Sequence, residues 1–288
     1  MEAKEGGSGI RVAFFLNLGF AILELLGGMW VNSMAILSDA LHDAGDSLSL
    51  GLAWYLERYS HKGEDVRYSY GYRRFSLLGA LANAIILVAG GLWMLSAAIP
   101  RLLHPEPANA PGMALFAVVG IVVNGVAALR AKSDKTLNAQ VVVWHLLEDV
   151  LGWVAVLIVS FVLWFTDLEI LDPLLSILIT LYILYNVTGN LRKTLSLFLQ
   201  AVPEDVDVAQ IKRQLQDIAG VQSSHHTHVW SLDGEHHVLS THLVVAADAG
   251  REEILRIKRA VHAAIANLDC EHTTIEIEYA DEECGLKG

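Results

Sequence analysis

The chain has 288 residues, of which 53% are hydrophobic and 18% charged, and its formal net charge is −12. Soluble proteins normally carry about 25% charged residues, so this composition excludes an ordinary soluble globular protein. From position 203 onward the chain holds sixteen Asp or Glu, seven Lys or Arg, and eight of the twelve histidines. Nucleic-acid binding needs clustered Lys and Arg. The acidic, His-rich segment therefore excludes a nucleic-acid partner and favours divalent cations.

Apolar runs near the length of a membrane-spanning helix recur along the first two thirds of the chain. Crossing the hydrocarbon core as a helix takes about 20 residues. The runs predict six transmembrane helices in a lipid bilayer, at roughly 10–31, 34–57, 75–99, 112–131, 141–165 and 171–199. The first nine residues, "MEAKEGGSG", lack the apolar core and cleavage site of a signal peptide. They are predicted to form a cytoplasmic tail, 1–9, that precedes the first span.

Basic residues fall on one side of the predicted bundle. Lys and Arg cluster before the first span, after the second, after the fourth and at the end of the sixth, whereas the opposite loops contain only Arg101. Short loops rich in Lys and Arg lie on the cytoplasmic side. The pattern predicts a multi-pass protein with both termini in the cytoplasm. The inner (plasma) membrane of a bacterium is the expected location.

The sequence changes character after "AVPEDVD". A helical pattern ends at Gly220, two strands flank Asp233-Gly234, an amphipathic helix begins near Arg251, and "TTIEIEY" alternates as a strand. The order αββαβ predicts a small α/β domain, ferredoxin-like or metallochaperone-like, with helices covering one sheet face. The chain is therefore divided into the tail, a six-helix transmembrane domain over 10–200, and a cytoplasmic domain over 201–288.

The second predicted span contains "SDALHDAGDSL", with Asp39, His42, Asp43 and Asp46. On a helix these four side chains lie within a sector of roughly 100°, so they form one polar stripe. A charge at mid-membrane costs about 2.5–3.5 kcal/mol on insertion scales, so such residues face a cavity or a partner. The stripe indicates either a polar contact between helices or an intramembrane ion site.

The fifth span repeats the spacing in "VVVWHLLEDVLG", which carries His145 and Asp149. Residues four apart on a helix lie on one face. His42, Asp46, His145 and Asp149 can therefore supply two imidazoles and two carboxylates, the tetrahedral ligand set that suits Zn²⁺. Two carboxylates, two neutral imidazoles and one divalent ion sum to zero charge, which limits the cost of burial. The neighbouring acidic residues are candidates to support the ligands or to carry protons: Asp39, Asp43 and Glu148.

The chain resembles the cation diffusion facilitator family of metal/proton antiporters, in its zinc/cadmium/cobalt branch. The resemblance rests on the two His-x-x-x-Asp stretches quoted above and on "YGYRRFSLLGALANA", "LDPLLSILITLYIL" and "HTTIEIE". The resemblance implies a homodimer whose cytoplasmic domains meet, alternating access, and efflux of Zn²⁺, with Cd²⁺ and Co²⁺ as further substrates. It implies that His42, Asp46, His145 and Asp149 form the transport site. Because a metal-binding imidazole must be neutral and a carboxylate ionised, protons compete for the same groups.

The resemblance also implies cytoplasmic metal ligands at His228, His242 and His272. Further ligand candidates lie in the acidic tail: Glu278, Asp281 and Cys284. A two-residue turn at Asp233-Gly234 puts His228 and His242 on opposite sheet faces, whereas an odd-length loop with a bulge puts them on one face and is preferred. The remaining histidines considered are predicted to be solvated: His225, His236, His237 and His262.

Two other functions are weighed against transport. A membrane zinc hydrolase needs an open water position and a general base, as in His-Glu-x-x-His, and the sequence has no such motif. A zinc sensor that signals through its cytoplasmic domain needs no intramembrane ligands. The sequence therefore favours a transporter and no enzyme activity.

Overall fold

The structure is a computed structural model that describes residues 3–60, 62–132 and 137–285. It divides into two compact units: Met1–Glu57 with Gly79–Leu191, and Arg58–Leu78 with Arg192–Gly288. The second unit therefore includes the connection between the second and third long helices. The predicted division into 1–9, 10–200 and 201–288 remains a prediction.

Six long helices lie wholly or mostly in the first unit: α1 (Ala3–Val31), α2 (Met34–Ser60), α3 (Phe75–Leu103), α4 (Ala110–Ala131), α5 (Leu137–Phe165) and α6 (Leu171–Phe198). Within the described residues, α1, α3, α4, α5 and α6 are long and apolar enough to cross a membrane. The remaining long helix, α2, carries three aspartates within eight residues, and their polarity lowers its mean hydropathy.

The N-terminus of α2 is held by a carboxylate from α6. Asp172 is buried and accepts hydrogen bonds from the Ser33 hydroxyl (2.6 Å) and from the backbone N–H groups of Met34 (2.6 Å) and Ala35 (3.3 Å). The first N–H groups of a helix have no partner within the helix, so a carboxylate from another helix satisfies them and suits the helix dipole. This contact joins the start of α2 to the start of α6.

A line of buried hydroxyls continues the same contact. The Ser38 hydroxyl of α2 lies 2.6 Å from that of Ser176 and 3.2 Å from that of Thr180 on α6. Asp172, Ser176 and Thr180 are spaced by four residues and so share one face of α6. Hydroxyls that bond across helices hold them together in lipid. The helix α2, which carries His42 and Asp46, is thus fixed along its first turns.

An apolar core joins α1, α2, α4 and α5. It contains Val31, Ile36, Met113, Trp153 and Val156, which are almost fully buried. The indole ring of Trp153 lies against Gly120, where no Cβ would fit without a shift. Trp153 follows Asp149 by one helical turn, so this packing holds α5 against α4 next to a predicted zinc ligand.

The second unit contains α7 (Val208–Gln216), β1 (Val221–Ser231), β2 (His237–Val245), α8 (Arg251–Ala264) and β3 (Cys270–Tyr279), in the order αββαβ that the sequence predicts. The sheet order is β1-β2-β3; β1 and β2 are antiparallel, and β2 and β3 are parallel. Apolar side chains of both helices pack with those of the strands, as illustrated by Leu215, Leu239, Leu243 and Ile257.

The β1–β2 connection has the odd length that the sequence analysis prefers. Ser231 pairs with His237, so five residues form the loop, and a bulge lies between His225 and His228. Gly234 adopts a φ of +107°, which only glycine reaches easily. His228 consequently pairs with Ser240. The two-residue turn is therefore excluded, and His225 is brought opposite His242.

Candidate metal sites

The polar stripes of α2 and α5 meet inside the first unit. Nε2 of His145 lies 3.0 Å from Oδ2 of Asp46, and Nε2 of His42 lies 3.7 Å from the same oxygen. His42, Asp46 and His145 each offer a ligand atom, and these atoms all lie within 4.8 Å of one another. Ligand atoms so close together can contact one ion at the roughly 2.0–2.2 Å typical of zinc with N and O. The two helices therefore present one donor cluster.

Asp149, the fourth predicted ligand, lies at the edge of this cluster. Its Oδ2 is 3.9 Å from Nε2 of His145, and only 12% of its side chain is exposed. It falls outside the tight group of three, so a small side-chain movement is needed before all four groups contact one ion. The pairing of His145 with Asp149 follows from their spacing on α5.

The other predicted acidic groups divide into two kinds. Asp39 and Asp43 are buried on α2, with 8% and 7% exposure. Glu148 is exposed, and its Oε1 accepts a hydrogen bond from the Tyr182 hydroxyl at 3.0 Å. Burial keeps Asp39 and Asp43 as candidates to support the site, whereas Glu148 is engaged with α6.

One buried acid was missed by the sequence analysis. Glu24 of α1 is 1% exposed, and neither carboxyl oxygen has a hydrogen-bond partner within the described residues. The signal was present in "FAILELLGG", because a carboxylate inside an apolar span is rarely left facing lipid.

A second donor cluster lies on the sheet of the second unit. It consists of His225, His242, Glu278 and Cys284. Nδ1 of His242 donates to Oε1 of Glu278 at 2.6 Å, and Nε2 of His225 lies 3.1 Å from Oε2. The Cys284 sulfur is 3.9 Å from Nδ1 of His242. Imidazole, thiolate and carboxylate together are zinc ligands.

The membership of this cluster differs from the predicted set. His225, predicted to be solvated, joins it because the β1 bulge places it opposite His242. His228 is exposed and lies outside the cluster. His272 pairs with Val238, four positions along β2 from His242, or roughly 13 Å at about 3.3 Å per residue. Asp281 is exposed and also lies outside it.

Three other histidines that were predicted to be solvated lie outside this cluster. His237 is buried, contrary to the prediction, because it begins β2 and its backbone N–H donates to the carbonyl of Asp269. His236 is half-buried, and its Nδ1 lies 2.8 Å from Asp233. His262 is exposed on α8, as predicted.

The hydrogen bond from His242 lowers the pKa of Glu278. The ionised carboxylate is the form that binds a metal. At neutral pH the cluster therefore presents an ionised carboxylate beside two imidazoles and a sulfur, a combination that favours a divalent cation.

The comparisons with known proteins define the class. The transmembrane domain of cation efflux proteins matches residues 10–199, and the cytoplasmic domain of cation efflux proteins matches residues 203–280. The chain therefore belongs to the cation efflux family, which confirms the resemblance drawn from the motifs. This is a family of multi-pass integral membrane transporters rather than enzymes.

Particular relatives resemble the chain over most of its length. A cadmium, cobalt and zinc/H(+)-K(+) antiporter of Bacillus subtilis is 30% identical over 93% of this chain and 88% of its own. The zinc transporter ZitB of Shigella flexneri is 31% identical over 93% of this chain and 86% of its own. A solved structure, the metal-bound C-terminal domain of the CzcD transporter from Cupriavidus metallidurans, is 28% identical and covers 25% of this chain and 99% of its own, with a TM-score of 0.23.

Proposed function

We propose that the protein exports Zn²⁺ from the cytoplasm in exchange for protons, through a site formed by His42, Asp46, His145 and Asp149. The observation that carries the proposal is the convergence of His42, Asp46 and His145 from two helices of the first unit. The name of the Bacillus subtilis relative, a metal/proton and potassium antiporter, supports the same exchange.

The ligand chemistry explains why the exchange involves protons. A proton and a metal ion cannot occupy the same lone pair of Nε2 of His145 or of His42. Metal binding at these nitrogens therefore displaces protons, and protonation displaces the metal. Histidine titrates near physiological pH, so a pH difference across the membrane is sufficient to load and empty the site.

Zinc is the first choice of substrate because the ligand set is mixed. Two imidazoles and two carboxylates suit tetrahedral Zn²⁺, whereas Mg²⁺ and Ca²⁺ prefer oxygen alone. Cd²⁺ and Co²⁺ are the expected further substrates, in line with the names of relatives that transport cadmium, cobalt and zinc.

The arrangement in the membrane follows from the charge pattern. All six long helices, including α2, span the inner membrane of a bacterium, with both termini in the cytoplasm. The tail 1–9 precedes the transmembrane domain of 10–200. The cytoplasmic domain of 201–288 binds zinc in a regulatory site. It also forms the contact of a homodimer, as the match to the cytoplasmic cation efflux domain suggests.

Zinc flux into proteoliposomes tests the proposal. The purified full chain is reconstituted with a zinc-sensitive dye inside, and zinc is added outside with and without a proton gradient. Gradient-dependent uptake supports export by antiport. Zinc binding without any flux would instead favour a zinc sensor that signals through the cytoplasmic domain.

A further inference from the structure

Glu24 lies on α1, whereas the four proposed zinc ligands lie on α2 and α5. It is 1% exposed, and neither carboxyl oxygen has a hydrogen-bond partner within the described residues. An isolated ionised carboxylate buried away from water is very unfavourable, and the usual outcome is that the group becomes neutral or finds a cation. The Glu24 carboxyl therefore needs either a bound cation or a proton at this position.

The charged groups that interact most strongly with the Glu24 carboxyl are themselves acidic. They are Asp39 and Asp43 from α2 and, at longer range, Asp149 from α5. No hydrogen bond joins the Glu24 carboxyl to another group among the described residues, but Asp43 is close enough to interact with it electrostatically. Two carboxylates repel each other, and they can form a hydrogen bond only when one of them holds a proton. One proton on Glu24 removes both problems, since it neutralises Glu24 and supplies a donor to Asp43.

We propose that Glu24 is a proton-carrying residue of the transporter, which holds a proton when the zinc site is empty and releases it when zinc binds. The proposal rests on the function proposed above, and it assigns a counter-ion group outside the four zinc ligands. A divalent ion at the neighbouring site favours the ionised form of a carboxyl group by its charge alone. Departure of zinc removes that charge, and the proton returns.

Two helical turns before Glu24, α1 carries a second polar side chain that contacts α2. Asn17 lies seven residues before Glu24 and therefore on the same helix face. Its side-chain amide donates to the carbonyl oxygen of Asp43 and to the Ser47 hydroxyl, both at 3.1 Å. When zinc binds, the Glu24 carboxyl releases its proton to water on the side from which zinc arrives and remains as a carboxylate. After zinc leaves on the opposite side of the membrane, the same carboxyl takes up a proton from that side, so that one proton crosses the membrane in the direction opposite to zinc.

Glu24→Gln tests the assignment, because glutamine keeps the size and can donate to Asp43 but cannot release a proton. The full chain is used in detergent for calorimetry and in proteoliposomes for flux, with Zn²⁺ as the probe. Calorimetry in buffers of different ionisation enthalpy counts protons released per zinc bound. We expect this number to fall by about one. We also expect Glu24→Gln to keep zinc–zinc exchange across the liposome membrane and to lose net uptake driven by a proton gradient.

The matched control is Glu252→Gln, which changes an exposed glutamate of α8 and should behave like the parent. Glu24→Asp, which restores an ionisable group, should recover part of the gradient-driven uptake. Parental proton release and parental gradient-driven flux in Glu24→Gln would overturn the proposal. Loss of zinc binding in that variant would also overturn it, because Glu24 would then serve the zinc site. A parent protein that moves no zinc, or moves it without protons, would instead contradict the proposed function.

Discussion

Nε2 of His145 on α5 lies 3.0 Å from Oδ2 of Asp46 on α2. Both atoms are metal-ligand atoms of the predicted site, and in this arrangement a single proton can lie between them. A zinc ion that contacts both atoms must replace that proton. The spacing of α2 and α5 at this point therefore depends on whether a proton or a zinc ion lies between the two atoms.

Removal of a carboxylate ligand should stop transport. We expect Asp46→Ala and Asp149→Ala to lower zinc flux in proteoliposomes by more than about 100-fold. Loss of a residue that only hydrogen-bonds to a metal ligand already costs roughly 10–100-fold in metal affinity or activity. Asp167→Ala, which alters an exposed aspartate between α5 and α6, is the control. Near-parental flux from either ligand variant, with normal membrane insertion, would show that the site lies elsewhere.

The convergence of His42, Asp46 and His145 could be predicted because its sequence signal is local. His-x-x-x-Asp occurs once in α2 and once in α5, and helical geometry alone places each pair on one face. The membership of the donor cluster in the second unit could be predicted only in part. His242 and Glu278 were named from the family motif and the acidic tail. The position of His225 depends on a bulge in β1, and the register of β3 against β2 places His272 four residues along the sheet from His242. Neither feature has a local sequence signature.

Removal of the contact between α6 and α2 should weaken the first unit. Asp172→Ala leaves the N–H groups of Met34 and Ala35 without their acceptor. Loss of a helix N-cap costs about 0.5–2 kcal/mol. We expect a lower midpoint of thermal unfolding in detergent and a smaller loss in Asp172→Asn, which keeps one acceptor oxygen. An Asp172→Ala midpoint equal to that of Asp167→Ala would contradict the role of this contact.

Zinc should stabilise the cytoplasmic cluster through His225 and His242. A ligand that binds only the folded form adds about 2.7 kcal/mol at a hundredfold excess over Kd. We expect the double variant His225→Ala, His242→Ala to lose most of the zinc-induced rise in the unfolding temperature of the isolated segment 203–288, in which Trp230 is the only tryptophan and its fluorescence follows unfolding. The variant His228→Ala, His262→Ala removes two exposed imidazoles and should keep it. If His228→Ala, His262→Ala lost the zinc-induced rise and His225→Ala, His242→Ala kept it, the result would favour the ligand set implied by the family resemblance.

The stability of the second unit should depend on pH through Glu278. Its pKa is lowered from 4.5 in the folded protein by the hydrogen bond from His242. A group with a lowered folded pKa stabilises the fold above its unfolded pKa, and this contribution is lost as pH falls through the folded value. The parent should therefore be more stable than Glu278→Gln at pH 6, and the difference should shrink below pH 4.5. A difference that stays constant or grows on acidification would contradict the assigned hydrogen bond.

The central claim is that one intramembrane site exchanges zinc for protons. Simultaneous recording of zinc entry and internal pH in proteoliposomes that contain the full chain tests it most directly. We expect protons to leave as zinc enters, and we expect zinc affinity to weaken as pH falls from about 8 to about 5.5, across the range in which histidine protonates. Zinc flux without proton counterflow, together with an affinity that is flat over that range, would contradict the claim.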